Sequence, residues 1–370
     1  MSFKLDLIED AIEDIKNGKV VIVVDDEDRE NEGDFLTAAE NVTPEIINFM
    51  ATHGRGLICT PLLEDRCDEL GLELMVKENS ASYETPFTVS VDLNGHGCTT
   101  GISAMDRFKT VKALIDPNLD PKELGKPGHI FPLRAKKGGV LRRAGHTEAA
   151  TDLARLSGFS PAGIIVEILN EDGTMARLPQ LIEVAKRFDL KLISIADLIA
   201  YRMKHESLIE KEIEVNFPTI WGDFKLAAYK QTTTGDEHIA LYKGEWSEDD
   251  SVLVRVESSQ FSHNLLDAIR SDKQSNVSAA LQMINKAEKG VLLFMQQGEK
   301  QESLVDTLKA YNNPDIKRKV DSKDYGIGAQ ILRGLNVKNL DLITNSKSVN
   351  ESVISAYGLK INSLVEFVVG

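Results

Sequence analysis

The first apolar positions of the chain, Leu5, Ile8, Ile12 and Ile15, recur at helical spacing, which predicts an amphipathic helix. Gly18 follows as its stop signal. Val20 to Val24 is then an unbroken apolar run, as expected of a strand buried on both faces. Thr43-Pro44 opens a helix running to Ala51, and residues 57–60 and 88–92 read as short strands. Residues 106–115 read as a helix that Pro117 stops. Residues 140–147 form a turn rich in Gly and Arg, followed by a helix from about Glu148 to Leu156. Residues 164–169 predict a strand with Glu167 inside it, and residues 178–188 and 195–205 predict helices. The alternation predicts an α/β (α+β) fold in two domains, residues 1–206 and 207–370. Residues 206–216 are charged and without a clear period, so they read as linker. Beyond them, residues 238–242, 252–256 and 291–295 read as strands and residues 277–288 and 327–335 as helices. A closing strand is expected over residues 364–369.

A chain of 370 residues has room for two cores. Its net charge of −15 disfavours nucleic acid and anionic membrane as partners, so a phosphorylated substrate would need a locally basic pocket. The three cysteines, Cys59, Cys67 and Cys98, lack C-x-x-C spacing, which argues for reduced thiols rather than a disulfide framework. The opening segment is an acidic amphipathic helix and not a targeting peptide, and no apolar run reaches membrane-spanning length. A cytoplasmic protein is expected.

Two segments carry candidate chemistry. Seven of the ten residues from Asp25 to Asp34 are carboxylates, and they leave a buried strand directly. A solvated loop explains such a run. A site for a hard divalent cation, which would relieve the self-repulsion, explains it equally well. The segment from Gly138 to Thr147 is the opposite kind, with Arg142, Arg143 and His146 among small residues ahead of a helix. Thr147 suits the N-cap, and a helix N-terminus with an arginine can take a phosphate. A capped helix with surface arginines accounts for it as simply. His129 sits in a tight Gly-His-Ile-Phe-Pro turn, and Thr99, Thr100 and Ser103 sit in a small-residue loop that turn chemistry also explains. Glu167 stands out, because a carboxylate within an apolar strand is costly unless paired or functional. Cys59 reads as a buried apolar residue.

Taken together, DDEDRENEGD (25–34), HGRGLIC (53–59), TTGISAMDR (99–107), PGHIFPL (127–133), LRRAGHTEAA (141–150) and EILNEDGTMAR (167–177) resemble 3,4-dihydroxy-2-butanone 4-phosphate synthase of riboflavin biosynthesis, in family order across residues 1 to about 205. The resemblance implies a lyase that converts ribulose 5-phosphate to 3,4-dihydroxy-2-butanone 4-phosphate and formate with Mg²⁺ or Mn²⁺. It implies Glu30 and His146 as metal ligands and His129 and Glu167 as residues essential to the reaction. It implies substrate contacts from Arg29, Glu30, Asp34, Arg143, Ala144, Gly145, His146, Thr147 and Glu167, and a homodimer.

Residues from about 207 to 370 resemble GTP cyclohydrolase II, most clearly at Asp324–Arg333 (DYGIGAQILR) and Leu342-Ile343-Thr344-Asn345. That family holds Zn²⁺ with three cysteines. An ungapped match from Val254-Arg255-Val256 puts Gln260, Ser271 and Lys273 at those places, and no cysteine follows Cys98. The family's R-Q-E-G-R-G-I-G turn reads Gln296 to Ser303 here, and Lys323 replaces an arginine. His238 and His263 are the domain's histidines. The expectation is a folded domain without zinc and without cyclohydrolase activity; a bifunctional enzyme is the alternative.

Overall fold

The computed structural model describes residues 4–27, 29–81, 83–259, 276–296, 325–346, 349 and 351–367. The chain divides into two compact units, Met1–Lys204 and His205–Gly370. Gln260, His263, Ser271, Lys273, residues 297–303, Lys323 and Asp324 lie outside the described residues.

In the first unit the strands are β1 (Val21–Val24), β2 (Gly33–Ala38), β3 (Cys59–Leu63), β4 (Val91–Leu93), β5 (Leu124–Ala135), β6 (Gly163–Glu167) and β7 (Leu192–Ser194). They form one mixed sheet in the order β4-β5-β3-β6-β2-β1-β7 among the described residues. The helices are α1 (Ile8–Lys16), α2 (Pro44–Phe49), α3 (Glu64–Glu69), α4 (Ala104–Ile115), α5 (His146–Leu156), α6 (Leu178–Phe188) and α7 (Ile195–His205). The α6 and α7 bounds match the sequence reading, and a π-helical turn at Met50–Gly54 prolongs α2.

Side chains alternate across each strand, so the sheet has two differently used faces. Ile22, Val24, Phe35, Ile164 and Val166 enter one hydrophobic core, which also takes Ile47, Met50, Val111, Leu114 and Leu181 from the helices. The alternate positions Asp34 and Glu167 therefore belong to the other face, and cross-strand register sets these two residues directly opposite each other. Helix α5 packs over β2 and β6. It comes very close there: a Cβ on Gly163 would lie 2.7 Å from the Ala150 Cβ. His146 is four residues before Ala150 and so shares that helix face.

Several expectations change. β2 begins at Gly33, so Asp34 is a strand residue and not part of the turn. Strand β5 was missed, because Gly125, Pro127, Gly128 and Pro132 hide a twelve-residue strand. Glu167 closes β6 instead of lying within it.

The second unit contains β8 (Ile209–Thr219), β9 (Gly222–Gln231), β10 (Glu237–Lys243), β11 (Ser251–Ser259), β12 (Gly290–Gln296), β13 (Asn339–Ile343) and β14 (Lys360–Val365), with α8 (Asn276–Ala287), α9 (Tyr325–Gly334) and α10 (Glu351–Ala356). The sheet order is β14-β13-β11-β12-β10-β9-β8. Helix α8 packs on it through Ala280, Leu281 and Ile284. Residues 209–216, read as linker, belong to β8; it is an exposed edge strand, and its charges mask the alternating Ile213, Val215 and Phe217. The closing strand expected over residues 364–369 is found at Lys360–Val365, and residues 368–369 of that expectation lie outside the described residues.

A buried ion pair secures the segment ahead of α5. Asp152 Oδ2 accepts from Arg202 Nη1 and from the Val140 amide, both at 2.7 Å, and Arg202 Nη1 also donates to the Gly138 carbonyl at 2.6 Å. Removing one partner strands a buried charge. Arg202→Ala should cost the first unit about 3–5 kcal/mol, read from its denaturation transition; a loss below about 1 kcal/mol would contradict this account.

Candidate active site

The acidic turn joins β1 to β2 and wraps around one of its own carboxylates. Asp25 Oδ2 accepts from Arg29 Nη1 and from the Glu30 amide, each at 2.9 Å, and Oδ1 accepts from the Glu32 amide at 2.8 Å. Arg29 Nη1 also reaches Glu30 Oε2 at 2.9 Å. At the N-cap of α6, Arg177 Nη1 donates to the Glu30 carbonyl at 3.0 Å and to the Asn31 carbonyl. The turn is therefore a held structure and not a free solvated loop.

The basic turn meets it. Gly145, not Thr147, is the N-cap of α5; helical geometry starts at His146, and Thr147 is buried in the first turn. No side chain caps there, and a Cβ on Gly145 would lie 2.5 Å from Arg143 Nη1. Arg143 Nη1 is held at 2.6 Å by Oε2 of the fully buried Glu148, and its Nη2 donates to the Tyr83 carbonyl at 3.2 Å. Ala144 and Gly145 offer backbone groups only. Buried His146 has Nε2 3.1 Å from the Val23 carbonyl oxygen. A carbonyl only accepts, so Nε2 carries the hydrogen and Nδ1 is the nitrogen open to a ligand. Nδ1 lies 3.7 Å from Glu30 Oε2.

One donor atom each from Asp25, Glu30 and His146 lies within 4.8 Å of the others. The electrostatics of this cluster call for positive charge. Burial opposes ionisation of Glu30, but His146 and Arg29 outweigh it and hold the carboxyl at about 2. Burial likewise opposes a charged His146, yet Asp34, Glu30 and Asp25 push it up to about 9. Two carboxylates and an imidazole are a donor set suited to a hard or borderline divalent ion.

Next to this cluster, burial raises Asp34 to about 7; the charges of Glu167, Glu30 and Glu32 add to the rise and His146 opposes it. Glu167 Oε2 accepts from the Leu57 amide at 2.8 Å. The approach is so close that a Cβ on Gly56 would lie 2.5 Å from that oxygen, which is why the loop reads Gly-Leu here.

Other candidates fall elsewhere. His129 is exposed on β5, where Asp92 takes both its Nδ1 (2.6 Å) and its amide (2.8 Å). Among the described residues no hydrogen bond or ion pair links His129 to Glu30 or His146. Thr99 and Ser103 are committed to Asp106: the Thr99 hydroxyl donates to its carboxylate at 2.7 Å, and Ser103 caps α4 by accepting from its amide at 3.0 Å. Cys59 is buried, with its thiol pushed well above its ordinary range by burial. In the second unit buried His238 accepts from the Gln296 amide through Nδ1 at 3.1 Å and faces Gln231. The sequence did not single out Asp25, Tyr83, Asp92 or Arg177. Asp25 is one acid among seven, while Arg177 stood unremarked inside a matched motif.

The family model for 3,4-dihydroxy-2-butanone 4-phosphate synthase matches residues 9–201. The chain belongs to this family. It is an enzyme, a lyase of riboflavin biosynthesis. A GTP cyclohydrolase II model matches residues 210–366. Riboflavin biosynthesis protein RibBA of Cytophaga hutchinsonii is 56% identical over 98% of this chain and 92% of that one. The RibBA protein of Porphyromonas gingivalis is 52% identical, over 97% and 91%. Among solved structures, RibBX of A. baumannii, described as a two domain 3,4-dihydroxy-2-butanone 4-phosphate synthase, has a TM-score of 0.66 and 39% identity over 97% of this chain and 99% of that one. A synthase in complex with two magnesium ions has a TM-score of 0.52 and 43% identity over 54% of this chain and 98% of that one. Both units thus have the mixed α/β folds of these families, and a divalent cation is consistent with the first.

If the cluster holds the cation, Glu30→Ala and His146→Ala should each weaken Mn²⁺ binding by at least about tenfold in a calorimetric titration. Unchanged affinity in either variant would remove that residue from the ligand set.

Proposed function

We propose that the synthase domain, residues 1–206 by the sequence reading, converts D-ribulose 5-phosphate to L-3,4-dihydroxy-2-butanone 4-phosphate and formate, as a cytoplasmic homodimer using Mg²⁺ or Mn²⁺ held by Glu30 and His146. The observation that carries this reading is His146 Nδ1 facing Glu30 Oε2 at 3.7 Å beside the opposed Asp34–Glu167 pair. Substrate and products balance in carbon, hydrogen, oxygen and phosphorus, so the reaction needs no external oxidant or reductant. When bound, the divalent ion supplies Lewis acidity toward neighbouring sugar oxygens.

The protein's own residues do the rest. The first step removes a proton beside a ketone; dehydration, a skeletal rearrangement and cleavage of the C–C bond that releases C4 as formate follow, each with protons moved between oxygens. Glu167, its carboxylate aimed by the Leu57 amide, is suited to take a proton from carbon. Asp34, raised to about 7, is partly protonated near neutral pH and is suited to return one to oxygen. His129 lies apart from this cluster with Nδ1 engaged by Asp92, so the family resemblance, and not its position, proposes it for proton transfer through Nε2. Arg143, the Ala144–Gly145 backbone and the first amides of α5 at His146 and Thr147 form an anion-binding end for the phosphate. Arg29 balances charge among the acids. Glu167→Gln should lower kcat by about 10²–10⁴-fold, measured as formate released from ribulose 5-phosphate, and excess EDTA should abolish release.

For the second domain, residues 207–370 by the sequence reading, we infer a domain that keeps the cyclohydrolase II fold without its zinc chemistry. Support comes from the absence of any cysteine after Cys98 and from the strand-bonding role of His238. The two-domain structure described as a synthase matches over nearly the whole chain, which fits this reading. The match to the GTP cyclohydrolase II model favours the bifunctional alternative. Incubation with GTP and Zn²⁺ should yield no pyrimidine product; its formation would establish the second activity.

A further inference from the structure

Glu30 does not lie on a strand or helix, so its aim depends on the peptide that carries it. The Arg29 carbonyl and the Glu30 amide belong to one rigid plane. Its N–H end donates to Asp25 Oδ2 at 2.9 Å. Its carbonyl end accepts from the Tyr83 hydroxyl. The same tyrosine ring stacks under the Arg29 guanidinium at 5.3 Å, and that guanidinium bridges Asp25 and Glu30. The Tyr83 backbone carbonyl accepts from Arg143 Nη2 at 3.2 Å. One residue, outside both turns, thus touches the acidic turn twice and the basic turn once.

Tyr83 is itself held. Its loop is closed where Leu74 bridges Thr88 and the Met75 amide donates to the Phe87 carbonyl at 2.9 Å. Inside the loop, Asn79 Nδ2 donates to the Thr85 carbonyl at 2.9 Å, and Asn79 Oδ1 accepts from the Ala81 amide at 3.0 Å. Tyr83 is 39% exposed, so shortening its side chain opens no core cavity. Its contacts are better explained by what they hold than by packing.

We propose that Tyr83 is a positioning residue: it pins the carbonyl end of the Arg29–Glu30 peptide, sets the Glu30 carboxylate for a divalent cation, and ties that setting to Arg143. The inference rests on the metal reading above and deepens it. Phenylalanine at this position keeps the ring and loses only the hydroxyl donor, whereas alanine loses the stacked ring as well.

The test is Mn²⁺ titration of the full chain and its variants, followed by the electron paramagnetic resonance of free Mn²⁺, with formate release from ribulose 5-phosphate measured in parallel. Tyr83→Phe should weaken Mn²⁺ binding about fivefold, the effect of one hydrogen bond. Its kcat at saturating Mn²⁺ should stay within about twofold of the unsubstituted protein. Tyr83→Ala should weaken binding more, by about tenfold or beyond, through the added loss of the cation–π contact. A structural role alone would lower the melting temperature and leave the Mn²⁺ constant in place. Unchanged Mn²⁺ affinity in both variants overturns the proposal, as does failure of the unsubstituted chain to bind Mn²⁺. If that chain binds Mn²⁺ but releases no formate, the substrate reading falls, and the titrations still decide the role of Tyr83.

Discussion

Crowding of carboxylates at the end of a buried strand is the constraint on which this structure depends. Asp25, Glu30, Glu32 and Asp34 follow β1 within ten residues, and the sheet adds Glu167 opposite Asp34. Such an arrangement is unfavourable without positive charge. The protein supplies some of it with Arg29 and Arg177, and it brings His146 from more than a hundred residues away. His146 is buried against Asp25 and Glu30, one donor atom of each lying within 4.8 Å of the others, and the neighbouring carboxylates raise its proton affinity against burial.

The fold makes this meeting possible through simple packing. Small residues at Gly163 and Ala150 let α5 settle close to the sheet, so its first residue arrives beside the β1–β2 turn. The Val23 carbonyl then fixes the imidazole with Nδ1 outward. The Asp152–Arg202 pair anchors the stretch that leads into the helix. Positions that look merely permissive in sequence, such as Gly56 and Gly145, are close approaches of backbone to Glu167 and Arg143.

Much of this was legible in the sequence. The buried β1, the helices at Leu178–Phe188 and Ile195–His205, and the opposed chemistry of the two turns all follow from periodicity and composition. What stayed hidden depends on pairing. β5 carries glycines and prolines that a single-strand pattern rejects, and β8 is an edge strand whose charges face water. Thr147 suits a cap by residue type, but the N-cap lies two residues earlier, at Gly145, with Thr147 buried in the first turn. Asp25, Tyr83, Asp92 and Arg177 act on other residues, and one sequence does not mark such second partners. The second unit shows the same asymmetry: its fold follows from apolar patterning, whereas its chemistry is judged by residues it lacks.

In the proposed site the acidic and basic turns close around a single divalent cation. Anomalous diffraction from crystals of the full chain grown with Mn²⁺ tests it most directly. An anomalous peak is expected within coordination distance of a Glu30 carboxylate oxygen and His146 Nδ1. A protein that turns over ribulose 5-phosphate under the same conditions, with its Mn²⁺ peak at other side chains, would contradict it.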